Sequence, residues 1–385
     1  MKNEFDYIII GSGLSGLITA FRMSHDNWFD NKSILIIEKN ATKNNDRTWC
    51  FWEPSGGEFD AIIHKKWRKA FISNKYHQAV HSLEPFEYKM IRSKEFYDFT
   101  KNQISTKTNF TFITDEIQTL KEHEKYVEVI GKNKNYTSSF VLNSIFKNNF
   151  LNNQKKYPYL KQHFIGWFVK TEKDIFNPEV VTFMDFTVPQ KGNTRFMYVL
   201  PISSNEALVE YTLFSENILE NEEYENAIKE YLFQLGADTF EITEKEQGNI
   251  PMTCFSFQNR NTPRQMYIGT AGGWTKPSTG YTFYNSVKIS KTLISFLKKE
   301  KPLNQFKMNS RYWWYDLILL EVLHQKNELG GKLFGLMFQK RNIKEIFNFL
   351  NEEQTFVQDF KIIKSMPKVI FTKAFITSIK KLLFN

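Results

Sequence analysis

Cysteine is scarce: two residues, Cys50 and Cys254, in a chain of 385. A pair so far apart excludes a disulfide framework and a thiolate metal site, and suits two small buried hydrophobes in a reducing compartment. Long apolar runs are also missing, since no stretch reaches the roughly 18 uninterrupted apolar residues of a spanning helix. Histidines are few and scattered, at positions 25, 64, 77, 81, 123, 163 and 324. Only His77 and His81 stand four apart, in a stretch that does not read as helical, so no metal ion is expected. There is no zinc-finger spacing, no RNP-type motif, no internal repeat and no low-complexity tract. The net charge of +9 therefore points to a membrane surface or an acidic ligand and away from nucleic acid. No signal peptide is expected, because the first apolar run, Tyr7 to Ile10, leads straight into a glycine motif.

What is present reads as globular: 41% apolar and 24% charged residues, at a length suited to two or three domains or one large elaborated domain. Aromatic residues are abundant, with 37 Phe, 17 Tyr and 8 Trp. They suit the lining of a cavity for a long apolar molecule, or a drift of composition in which Asn, Lys and Ile are also high.

Residues 6–10 read as a buried parallel strand, Leu14 to Ser24 as a helix and 33–38 as a second strand, together one βαβ unit. A loop of aromatic and glycine character is expected over about 40–60. Residues 88–101 read as a strand entering a helix, with Ser93 as its N-cap. Strand-like runs follow at Tyr126 to Ile130 and Phe140 to Ile145. The middle, about 150–250, alternates strands (VVTFMDF, RFMYVLP, ALVEYTLF) with a helix near 222–235. A strand at 267–270 enters a glycine-rich turn and a helix at about 281–299. From 312 onward the pattern is helical.

The motif Gly11-Ser12-Gly13-Leu14-Ser15-Gly16 follows the first strand and opens the helix. Gly11 permits the tight turn, Gly13 lets backbone approach a pyrophosphate and Gly16 lets helix and strand pack closely. The helix N-terminus adds free N–H groups and a positive dipole end. Glu38 ends the second strand, where a carboxylate accepts from ribose hydroxyls and repels a 2′-phosphate. NAD and FAD both use such a unit. A second glycine element, Ile268 to Tyr281, favours FAD. Its Thr270, Gly272, Gly273, Pro277 and Gly280 form the strand–turn–helix that closes the flavin site in many flavoproteins. Many of these carry an Asp after the first glycine, where this chain has Thr270. Arg47 and Arg92 are candidates for FAD phosphates or ribose, with surface ion pairing as the alternative.

Four further segments carry a resemblance: Asp46-Arg-Thr-Trp49-Cys-Phe-Trp52; Gln162-His-Phe-Ile-Gly166-Trp167 with Met184-Asp185-Phe186; Leu208-Val-Glu210-Tyr-Thr212; and Gly248-Asn-Ile-Pro251-Met252. Their order and spacing, with the element at 269–281, resemble the bacterial lycopene cyclase family from about residue 5 to 290 and more loosely to the end. The resemblance implies reduced FAD, with NAD(P)H as reductant, and conversion of lycopene or a related linear carotene to products with β-ionone rings. That is an isomerisation in carotenoid biosynthesis. The family often has two adjacent carboxylates followed by Thr where this chain has Glu210, Tyr211 and Thr212. A paired-carboxylate mechanism is therefore not expected, and Glu210 alone must serve as the acid.

In an apolar pocket burial raises the pKa of such a carboxyl, so that it can donate a proton to an alkene. By periodicity alone Glu210 would be a strand residue facing solvent. Asp185 is a second acidic candidate, with an ordinary strand-end carboxylate as the alternative. Trp167, Phe186 and Trp274 are candidates to face a cation, or plain core residues.

The fold class expected is α/β. A Rossmann-like FAD-binding domain (1–150 and 248–305) would carry a mixed-sheet substrate domain (151–247) of α+β character and a helical C-terminal region (306–385). Segment 364–385 has five lysines and no acid, and Val369, Ile370, Phe375, Ile376, Ile379, Leu382 and Leu383 fall largely on one helical face. It reads either as an interfacial helix holding a cytoplasmic enzyme to the inner face of the membrane, or as a terminal helix docked on the body. Competing readings are a flavin monooxygenase or prenyl-chain reductase of the same fold, and a non-catalytic carotenoid- or flavin-binding protein.

Overall fold

The computed structural model describes residues 3–40, 42–308 and 310–384. Its first sheet runs in the order Phe110–Thr114, Ile34–Glu38, Glu4–Ile10, Asn135–Asn143, Val127–Gly131, Ile117–Glu122, with the short strand Gln265–Tyr267 beside Asn135–Asn143. The strands around Glu4–Ile10 are parallel, whereas Ile117–Glu122 and Val127–Gly131 are antiparallel. Tyr7 to Ile10 are buried on both sheet faces. This is why the segment is a continuous apolar run and not an alternating one. Helix Leu14–Ser24 follows, packed between helices Ser93–Ile104 and Phe283–Leu297.

A second, mixed sheet runs Phe240–Met252, Leu160–Thr171, Glu206–Ser215, Thr194–Pro201, Val180–Asp185, Lys69–Asn74, His77–Ser82. Side chains alternate across it. Val209, Tyr211 and Leu213 pack with helix Asn221–Gln234, while Leu208 and Phe214 face Phe334, Phe347 and the C-terminal helices. A third sheet of Thr48–Pro54, Phe86–Arg92 and Lys65–Trp67 adjoins both. The architecture is α/β, a Rossmann-like layer joined to a mixed sheet and capped by five helices between Tyr312 and Phe384.

Several local expectations are corrected. The expected loop at 40–60 contains the strand Thr48–Pro54, whose partner Phe86–Arg92 lies far away in sequence. Ser93 is not an N-cap; it is the first residue of its helix, with Arg92 in the cap position. The Ser93 hydroxyl instead donates to Asp46 and accepts from the Arg47 amide, tying the preceding loop to the helix. The strand expected at 267–270 ends at Tyr267, and Gly269–Gly272 form a 3-10 turn. The sheets do not divide at residue 150. Lys69–Asn74 and His77–Ser82 join the second sheet, and so do residues 248–252 at the end of its long edge strand.

The terminal helix Lys368–Phe384 does not gather its apolar residues on one side. Ile370, Phe371 and Ala374 pack on helix Tyr312–Gln325, where Lys381 also pairs with Glu321 at 2.9 Å. Val369, Phe375, Ile376 and Leu383 are exposed, as are Phe356, Val357 and Phe360 of the preceding helix. Among the described residues no helix is long and apolar enough to cross a membrane.

Candidate active site

A cavity of about 510 Å³ opens where the two large sheets meet, and both glycine elements reach it. On the nucleotide side Gly13, Leu14 and Ser15 line it, with Arg47, Gly269, Thr270, Thr279 and Gly280. Gly11 sits at φ +92°, the left-handed region that glycine occupies without strain. A side chain on Gly16 would bring a carbon 1.9 Å from the Gly11 carbonyl, so this glycine exists for packing. Gly13 differs, because a carbon added there would meet nothing within 4 Å. The helix it opens has no side-chain cap, which leaves its first amides turned to the cavity.

Glu38 lies behind this wall. Its carboxylate accepts from the Ser12 amide at 2.8 Å and pairs with Lys43 at 2.8 Å, and Lys43 itself lines the cavity. Burial pushes the Glu38 carboxyl up, but the Lys43 ammonium and the Ser12 and Asn40 amides outweigh it and hold the group below its ordinary range. Two buried polar atoms of the cavity wall, Gln162 Oε1 and Thr279 Oγ1, have no partner within the protein. Open space at Gly13, uncapped amides and these two atoms fit a dinucleotide with a polar linker such as FAD.

The opposite wall is built from one rung of the second sheet. Tyr198, Glu210, Gly166 and Glu246 are register partners on four adjacent strands and so project from one face. Glu210 is 7% exposed and accepts from the Thr212 hydroxyl at 2.5 Å. Its carboxyl is pushed up to about 8, first by burial and then by the nearby Glu246 carboxylate, against the pull of the Thr212 hydroxyl. The Glu246 carboxyl is also raised by burial. However, the Thr48 hydroxyl, which donates to it at 2.7 Å, and the Arg92 and Arg47 guanidinium groups draw it back. Beyond Tyr198 the phenols continue, with Tyr88 bonded to Tyr198 at 2.6 Å and Tyr281 at 3.5 Å from Tyr88. Phe164, Phe183, Phe196, Phe214 and Phe334 complete an apolar wall around this acid.

The structure separates other expected site residues from the cavity. Asp185 does not line the cavity, although Phe183 and Met184 before it both do; its carboxylate turns to the side where helix Asn221–Gln234 packs. There it accepts from Ser73, Thr187 and Tyr231, the last at 2.8 Å, and is a buried structural carboxylate. Arg92 lies under the sheet, bonded to Glu244 at 2.5 Å with its guanidinium 4.0 Å from the Phe168 ring. Gly272, Gly273, Pro277 and Trp274 face a neighbouring hollow. Trp167 is fully buried on the helix side of the sheet, and Phe186 packs on Phe196 and Phe334, so neither lines the cavity.

The expectation of a lone carboxyl is also corrected. Tyr211, in place of a second adjacent acid, points to the helix side, where Arg195 donates to its hydroxyl. Asp46 lines the nucleotide side of the cavity, and the second acid on the Glu210 wall is Glu246, from a distant strand. The period-two spacing of Glu244, Glu246, Gly248 and Ile250 was its signal in the sequence.

The chain matches the family model described as "Lycopene cyclase protein" over residues 6–368. It is 23% identical over 316 residues to a lycopene beta-cyclase of Pantoea ananas, spanning 76% of this chain and 75% of that one. Among solved structures, a flavoprotein/dehydrogenase from Cytophaga hutchinsonii superposes with a TM-score of 0.60 at 12% identity, over 98% of this chain and 100% of that one. A geranylgeranyl bacteriochlorophyll reductase-like protein from Thermoplasma acidophilum gives 0.57 at 12%, over 99% and 96%. At such identities the two structures share the fold, and the family match adds the rest: the chain belongs to the lycopene cyclase family.

Proposed function

We propose that this protein is a lycopene beta-cyclase that closes the ends of lycopene, or a related linear carotene, into β-ionone rings by proton-initiated isomerisation. One observation supports this above the others. Glu210 presents a carboxyl that stays protonated near neutral pH to the same apolar cavity that the nucleotide-binding glycines enter. A neutral carboxyl donates to an alkene far better than an ionised one can. The Phe wall keeps water from the cation that follows, and ring faces attract it. The Thr212 hydroxyl holds the Glu210 carboxyl in place.

Gly13 to Ser15, Arg47, Thr270, Thr279 and Gly280 would hold FAD, with Glu38 and Lys43 at the ribose end. Bound and reduced, with NAD(P)H as reductant, FAD supplies an electron-rich ring whose charge favours a nearby cation. The rest of the reaction belongs to the protein. The domains we infer are 1–68 with 83–150 and 253–305 for the cofactor, 69–82 with 151–252 for the substrate, and a helical region from 306. Outward Val369, Ile376 and Leu383, flanked by Lys373 and Lys380, would rest on the inner face of the membrane from which the carotene is drawn.

Expression in lycopene-accumulating bacteria tests the reading. A product of unchanged mass with shortened conjugation supports cyclisation, while added oxygen or hydrogen points to a monooxygenase or reductase. The variant Glu210→Gln should keep its flavin and lose cyclisation; a fully active variant refutes the role of Glu210.

A further inference from the structure

The rung Tyr198–Glu210–Gly166–Glu246 holds two carboxyls on one cavity face, and their surroundings differ. Glu210 has a neutral hydroxyl partner, and burial and the Glu246 charge set its state. Glu246 has the Thr48 hydroxyl on one side and the Arg92 and Arg47 guanidinium groups nearby, with Glu244 as the opposing charge. The residue between them is glycine. A carbon on Gly166 would stand 3.4 Å from Glu210 Cβ and 3.3 Å from Glu246 Cγ, so its absence keeps the space between the two side chains open. Two strand spacings separate their backbones, roughly 10 Å. Carboxyls so placed can stand at the two ends of one reacting segment.

We infer that Glu246 is a catalytic residue that works opposite Glu210 on the rung and takes the proton that leaves after ring closure. This rests on the cyclase reading above. In the first step the Glu210 O–H breaks and a C–H bond forms at the terminal alkene. The next alkene then attacks the cation and a C–C bond closes the ring. Finally, a C–H bond beside the ring cation breaks, its electron pair becomes the new double bond and the proton goes to Glu246. The substrate is isomerised with no electrons gained or lost. The proton has moved from Glu210 to Glu246, and its return across the Gly166 gap resets the pair. Carbons flanking the ring cation compete to lose the proton, so the position of the accepting carboxylate selects the double bond formed.

The test compares full-length wild type and Glu246→Gln, both loaded with FAD and reductant, on lycopene in vesicles. The variant should keep its flavin, turn over about 100-fold more slowly and spread its product over several ring double-bond isomers. A plain structural role would not move that isomer ratio. Unchanged rate and unchanged ratio overturn the inference. An infrared titration of the Glu210 carboxyl, read without substrate, tests the pairing separately. Removing the neighbouring charge should lower the Glu210 midpoint, and an unmoved midpoint overturns the pairing even if the wild type proves inactive on lycopene. Failure of the wild type on lycopene alone counts against the cyclase reading. Where Glu246→Gln does not fold, Thr48→Val carries the same test. It removes the hydroxyl that favours the charged form, so turnover should fall and the isomer ratio shift; no change in either overturns the inference.

Discussion

Glu210 links protonation to stability as well as to chemistry. Its carboxyl loses its proton near 4.5 when unfolded and near 8 when folded. Between those values the folded chain holds the extra proton, so stability falls as pH rises and the penalty is complete above about 8. Glu210→Gln should therefore melt higher than wild type at pH 8 and equally at pH 4, by on the order of 4 kcal/mol at the upper value. Paired thermal melts at the two pH values check this. Cyclisation should also decline as pH rises through about 8, and a rate profile flat beyond that value would separate the acid from the reaction.

Gly166 gives a second measurement at the same scale. Gly166→Ala places a methyl 2.9 Å from Leu208 Cδ1 and between the two acids. Flavin content should persist and turnover should fall about 10- to 100-fold. Sequence gave access to Glu210 because a family pattern marks it. For Glu246 the alternating pattern offered only a strand face; that it stands beside Glu210, 36 positions earlier, is a relation that strand pairing alone creates. Asp185 misled because its acidic motif carries no sign of which sheet face it takes.

Elements differ in how far local pattern decides them. The first βαβ unit was legible almost to the residue, because turn glycines and a buried run are local signals. Thr48–Pro54 was not, since it is a strand only through Phe86–Arg92. The same dependence on distant partners governs the buried cluster beneath the second glycine element. There Lys276, 3% exposed, pairs with Asp316 at 3.1 Å and Glu352 at 3.0 Å, joining three elements. Lys276→Met removes the cation that bridges the two acids and leaves Asp316 buried without its partner. It should cost about 3–5 kcal/mol, read as a fall in urea midpoint at neutral pH that acid partly restores by protonating the pair.

At the scale of the whole molecule, the proposed membrane seat of the protein depends on the apolar residues exposed on the last two helices. Each lysine near an anionic surface contributes about 1 kcal/mol. Replacing Lys373 and Lys380 with Glu should weaken binding to anionic vesicles at least 10-fold and flatten its dependence on salt, measured by co-sedimentation. Equal binding of variant and wild type would assign the helix to the body alone.

The two glycine elements, the carboxyl rung and Phe334 come from segments spread over most of the chain, yet they border one hollow. Whatever lodges there becomes a rivet through both halves of the molecule. Stripped of it, the halves should come apart in separate steps on heating. Once it is seated they should melt together, and the common melting point should climb with ligand concentration.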